Sequence, residues 1–106
     1  MAAEIHHVAI EDDWEMSRVF GEYEVSTRGV PFDDIGFVHA VVAERVPDVV
    51  SARYADISLP LLDIALSVAG LEAAGAAVEW VNGEPRVRAP IPMIPEVVIS
   101  ETPIRR

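Results

Sequence analysis

Glu4-Ile5-His6-His7-Val8-Ala9-Ile10 runs without a break into Glu11-Asp12-Asp13-Trp14-Glu15. In the first stretch Val8 and Ile10 alternate as apolar positions, the period of a strand. In the second the pattern changes. Asp12 is an N-cap residue type, and Glu15 stands three positions on, as in a capping box. Trp14, Val19 and Phe20 supply the apolar side of the short helix so predicted, and Gly21 suits its C′ end. A strand that feeds a helix at once therefore starts the chain.

Working outward, Tyr23 to Asp34 reads mostly as loop, punctuated by Gly29 and Pro31. Ile35 to Ala40 is a second strand. Val41 to Arg45 leads into a helix that Pro47 can start, with Val49, Val50 and Tyr54 as its apolar positions. Leu59 to Leu66 is a buried strand with Pro60 at its start or edge. Ser67 to Gly75 is a short helix with Leu71 inward. Ala77 to Val81 is a strand, and Asn82-Gly83 is a hairpin turn signal. Pro85, Pro90, Pro92 and Pro95 make the next stretch irregular or edge-like, before a last strand over Glu96 to Ser100. Strands outnumber solid helices, and the long unpatterned stretches do not suit a doubly wound sheet. The fold class expected is α+β: a compact mixed β-sheet with two or three short helices packed against it. No repeat or linker divides residues 1–106, so a single domain is expected.

The chain has 106 residues, 51% hydrophobic and 25% charged, with no cysteine and a net charge of −10. A chain of this size buries roughly two thirds of its unfolded surface, enough for one core. Without cysteine there is no disulfide, no thiolate nucleophile and no cysteine-based metal site. The acidic balance argues against nucleic-acid binding, which needs a basic surface. Met1 to Ile10 has no basic segment before an apolar one, and no apolar run approaches a membrane span. A cytoplasmic protein is the expectation. All eight basic residues are arginine. Acidic residues crowd Glu4 to Asp34, a surface suited to solubility or to a basic protein partner.

Few residues carry candidate chemistry. His6 and His7 are neighbours in a strand and must point to opposite faces. His39 ends the second strand beside a loop, where a rigid element can position a side chain for a ligand. Arg86 and Arg88 are two apart in an extended segment, so both guanidiniums share a face and can hold one anion. The three histidines lack a ligand spacing, and no dedicated metal site is expected. Asp12-Asp13 is explained by the helix dipole, and Asp33-Asp34 by a solvated loop. There is no glycine-rich phosphate loop and no Gly-x-Ser-x-Gly elbow.

The segments Ile5-His6-His7-Val8, Trp14, Gly21-Glu22-Tyr23, Gly36-Phe37-Val38-His39, Val46-Pro47, Tyr54, Leu62-x-Ile64, Val78-x-Trp80 and Pro85 through Ile91 occur in that order along nearly the whole chain. In this the sequence resembles the bacterial family known as domain of unknown function 952. That family is similar in outline to the ADP-ribosyltransferase superfamily, with RNA 2′-phosphotransferase its nearest functional analogue. The resemblance implies an ADP-ribosyltransferase-like fold with a cleft between the first two strands. It implies binding of NAD, ADP-ribose or a phosphorylated relative, with His7 at the ribose-contacting position and His39 at the histidine of the second motif. Two departures weigh on activity. Ala40-Val41 follows His39 where the family has a small apolar residue and then serine. The family's second signature has histidine, tyrosine and glycine where this chain has Arg86, Arg88 and Ala89. Arginines there strengthen anion binding and remove a group that titrates near neutral pH. Glu79 and Glu84 are unanchored candidates for the glutamate many ADP-ribosyltransferases use. The function expected is therefore an anion- or nucleotide-binding cleft, degenerate relative to its family. The alternative is a non-catalytic interaction module using the acidic surface.

Overall fold

The computed structural model describes residues 3–26, 30 and 32–105; the loop expectations placed on Gly29 and Pro31 lie outside them. Strand β1 (Glu4–Ile10) passes directly into helix α1 (Glu11–Ser17). The capping expectation needs correction. The cap position is Ile10, which has no side-chain acceptor, and Asp12 lies inside the first turn. The Glu11 N–H instead donates to the main-chain carbonyl of Pro60 at 2.9 Å. Glu11, Asp12 and Asp13 then face the positive end of the helix dipole.

The chain continues through β2 (Glu22–Tyr23), the single turn α2 (Phe32–Ile35) and β3 (Val38–His39). The second strand is shorter than expected. Gly36 N–H closes α2 on the Phe32 carbonyl, and beyond His39 the chain leaves to bridge His6 through Val41. A 3-10 turn (Ala43–Arg45) leads to α3 (Val46–Arg53), which carries Pro47 in its first turn as expected. Then follow β4 (Leu61–Ser67), α4 (Val68–Ala73), β5 (Val78–Val81), β6 (Glu84–Val87), β7 (Ile91–Pro92) and β8 (Val98–Pro103).

The α+β class holds. Among the described residues the strands pair antiparallel and divide into three small sheets, β1-β4-β8, β2-β7 and β3-β6-β5, rather than joining one mixed sheet. The described residues also form four short α-helices. Strand β6 is the second correction. It lies between β3 and β5, not at an edge, and carries Pro85 there. Pro85 has no N–H to place, and its carbonyl accepts from Ala40 N–H at 3.2 Å. Asn82 and Gly83 join β5 to β6 with φ of 52° and 80°, the two positive angles of a primed turn.

The main core packs Ile5 and Ala9 of β1 with Leu62, Ile64 and Leu66 of β4, over Trp14, Tyr23, Val38, Val87 and Ile91. A second cluster on the other face of β1 joins Val8 to Leu61, Val41, Val46 and Tyr54, so α3 packs there. Apolar residues on both faces of β4 explain its nearly continuous hydrophobic run. Helix α4 sits close to the turn before β8: Ser67 Oγ accepts from Gly70 N–H at 3.0 Å and caps the helix, and a Cβ on Gly70 would lie 1.9 Å from the Glu96 carbonyl oxygen. Among the described residues no helix is long and apolar enough to cross a membrane.

Candidate functional site

The sheet β3-β6-β5 has one face in the core and one face outward. Val38, Pro85 and Val87 are buried on the first. His39 lies directly opposite Arg86, and Arg86 opposite Glu79, so these side chains stand on the second face. Alternation adds Phe37 and Glu84 to it. The Arg86 guanidinium stacks over the Phe37 ring at 4.4 Å from its centroid. His39 Nε2 lies 3.2 Å from Glu84 Oε2.

A cavity of about 300 Å³ opens over this face, bounded by His39, Glu84 and Arg86, by Phe37, and by Arg53 in the last turn of α3. A second cavity of about 200 Å³ shares His39, Arg53 and Glu84 with the first and adds Arg45 and Asp48. The two are halves of one groove that divides at the His39–Glu84 pair. Arg45 pairs with Asp48 at 3.1 Å. Arg53 and Arg86 make no ion pair among the described residues. Among the described residues of this acidic chain, Arg45, Arg53 and Arg86 thus border one groove.

The histidine behind the groove works differently. His7 is 2% exposed and sits on the core face of β1. Its Nδ1 is 2.6 Å from the His39 carbonyl oxygen, which can only accept, so Nδ1 carries the proton. Nε2, 3.1 Å from the Tyr23 hydroxyl, then accepts the O–H. Burial lowers the His7 pKa to about 4, against the opposing effect of the His39 carbonyl. Burial also pushes the Tyr23 hydroxyl far above its usual range. The imidazole is neutral and fully bonded, and it holds the backbone of β3 from behind. From the front, Ser26 Oγ accepts from His39 N–H at 2.9 Å. The backbone of His39 is therefore fixed on two sides while its ring stays in the groove.

Of the four residues singled out from the sequence, the structure brings His39 and Arg86 together in the groove. Arg88 shares their face but leans to Glu79, 4.0 Å away, toward the β5 edge. His7 is not brought into the groove, because alternation along β1 turns it into the core. Its neighbour His6 faces the other way, between Glu4 at 3.1 Å and Asp63 at 2.7 Å. Arg53 and Phe37 belong to the groove and were not singled out. Arg53 sits at the end of α3, far in sequence from both β3 and β6, and no local spacing marks it.

The chain is similar in fold to protein CC0527 of Caulobacter crescentus, known from its X-ray crystal structure. The TM-score is 0.73 at 19% identity, over 95% of this chain and 85% of that one. A double-methionine variant of the same protein matches with the same figures. At this identity the likeness shows the fold alone. No protein-family model matches the chain, and no curated protein does.

Proposed function

We propose that this is a small cytoplasmic domain that binds an anionic ligand, with a phosphate or phosphorylated nucleotide as the class, in the groove over β3 and β6. The observation that carries it is Arg53 and Arg86, two guanidiniums that make no ion pair among the described residues and border one cavity with His39 in a protein of net charge −10. Guanidinium forks match phosphate oxygens, and the stacked Phe37 holds the Arg86 fork in place. His39, with Glu84 beside it, is a proton donor or acceptor at the groove wall. Membership of the domain of unknown function 952 family, with NAD or ADP-ribose as the ligand, agrees with this reading through the resemblance alone.

The test is an amide NMR titration with inorganic phosphate, AMP, ADP-ribose and NAD in turn. The expected result is saturable shifts at Phe37, His39, Arg53 and Arg86, weakened by Arg86→Ala. Unmoved groove resonances at millimolar ligand would refute the reading.

A second reading, a module that binds another protein, is favoured by one feature. Met16, Val19 and Phe20, at helical spacing on α1 and the turn after it, are 70%, 85% and 79% exposed.

A further inference from the structure

The larger half of the groove has two unlike walls. One is cationic. Arg53 and Arg86 border it, and Glu84 is the one carboxylate among the described residues that line it. Glu84 Oε2 lies 3.2 Å from His39 Nε2, and a carboxylate only accepts, so that nitrogen carries a proton toward it. With His39 counted as neutral, these groups sum to one positive charge.

The other wall is apolar. Val30, Ile35 and Phe37 border the same cavity. Val30 and Ile35 are 37% and 42% exposed, and neither belongs to a core cluster. Single apolar residues on a surface need no explanation, but these two share one concave wall with an aromatic ring. The walls meet where the Arg86 guanidinium stacks over Phe37, 4.4 Å from the ring centroid. An anion bonded to the edge of that guanidinium therefore has apolar surface beside it.

Size and charge narrow the occupant. About 300 Å³ is the low end for a small-molecule site. A cavity of about 150 Å³ accepts a benzene ring, so one ring and one phosphoryl head fill this half. One positive charge does not balance a diphosphate or triphosphate.

We infer that the groove selects a small phosphate monoester whose ester group is apolar, and this rests on the anion-binding reading above. The phosphoryl oxygens take the Arg53 and Arg86 guanidiniums, and an aryl or branched alkyl ester group lies on Val30, Ile35 and Phe37. Ile35, the last residue of α2, is then a specificity residue that meets the ester group and not the anion. A sugar in that place would give up water over the apolar wall and gain no hydrogen bond from it.

The experiment titrates the full chain with phenyl phosphate, inorganic phosphate, ribose 5-phosphate and phenol, read by amide NMR. Phenyl phosphate should bind at least about tenfold more tightly than each of the others, with shifts that extend from His39 and Arg86 to Val30 and Ile35. Ile35→Ser should weaken phenyl phosphate by about 3- to 10-fold and leave inorganic phosphate within about twofold, which also shows an intact groove. Binding of inorganic phosphate or ribose 5-phosphate as tight as that of phenyl phosphate overturns the apolar preference, while the anion-binding reading stands. Phenol binding as tightly as phenyl phosphate overturns anchoring by the arginines. An equal loss of both phosphates in Ile35→Ser overturns its role in selection. If no phosphate moves the groove resonances, the anion-binding reading itself fails, and this inference with it.

Discussion

His7 Nδ1–H donates to the main-chain carbonyl of His39 at 2.6 Å, so a core side chain of β1 holds the strand that presents His39 to the groove. Site and core are joined by this bond. Changes at a residue no ligand touches will therefore be felt in the groove.

The first prediction concerns acid. The His7 pKa falls from 6.5 to about 4 on folding, so the unfolded chain binds the extra proton between those values. A depressed pKa contributes stability that is fully present above pH 6.5 and is lost as pH falls toward about 4. The size is about 3 kcal/mol. His7→Asn keeps a donor where Nδ1 stands and does not titrate. Urea unfolding of both proteins from pH 7.5 to 4 isolates the contribution: the wild type should lose about 3 kcal/mol more than the variant across that range. Parallel curves would show that His7 is already accessible to protons.

Tyr23→Phe removes the hydroxyl that donates to His7 Nε2 and leaves that nitrogen buried without a partner. The expected cost is about 1–3 kcal/mol in urea unfolding at pH 7. The His7 resonance should still titrate well below 6.5, because burial is the main cause of its shift.

In the groove, Arg86→Ala should weaken phosphate binding by about 10- to 100-fold, the loss of a charge-assisted hydrogen bond of about 1.5–3 kcal/mol. Arg88→Ala should change it by less than about threefold, since Arg88 leans to Glu79 at the far edge. Calorimetric titration of both variants checks the order. Equal effects would mean that only the summed charge matters.

Gly70→Ala places a methyl against the backbone of Glu96, which cannot move aside as a side chain can. Overpacking of this kind costs about 1–3 kcal/mol. Ser67→Ala, which removes only the cap on Gly70 N–H, should cost about 1 kcal/mol. Thermal unfolding should rank Gly70→Ala as the lower-melting variant.

Much of the fold was legible because it is written in local pattern. The alternation of β1, the apolar run of β4, Pro47 in the first turn of α3 and the Asn82-Gly83 turn each depend on neighbours a few residues away. Pairing is not local. That β6 lies between β3 and β5, with Pro85 inside it, depends on Ala40 supplying the N–H for the Pro85 carbonyl across 45 residues of chain.

The site divides the same way. From the sequence alone, His6 and His7 had to face apart, and Arg86 and Arg88 had to share a face, because strand geometry admits nothing else. Which histidine entered the core was decided by what packed on each face of β1. Leu62, Ile64 and Leu66 cover the face of His7, while Glu4 and Asp63 meet His6 on the other. Arg53 reached the groove only because α3 packs its valines against the second core cluster, which turns the helix end toward His39. Local sequence sets which way a side chain leaves its own backbone; only the burial of distant apolar surface sets what it then meets.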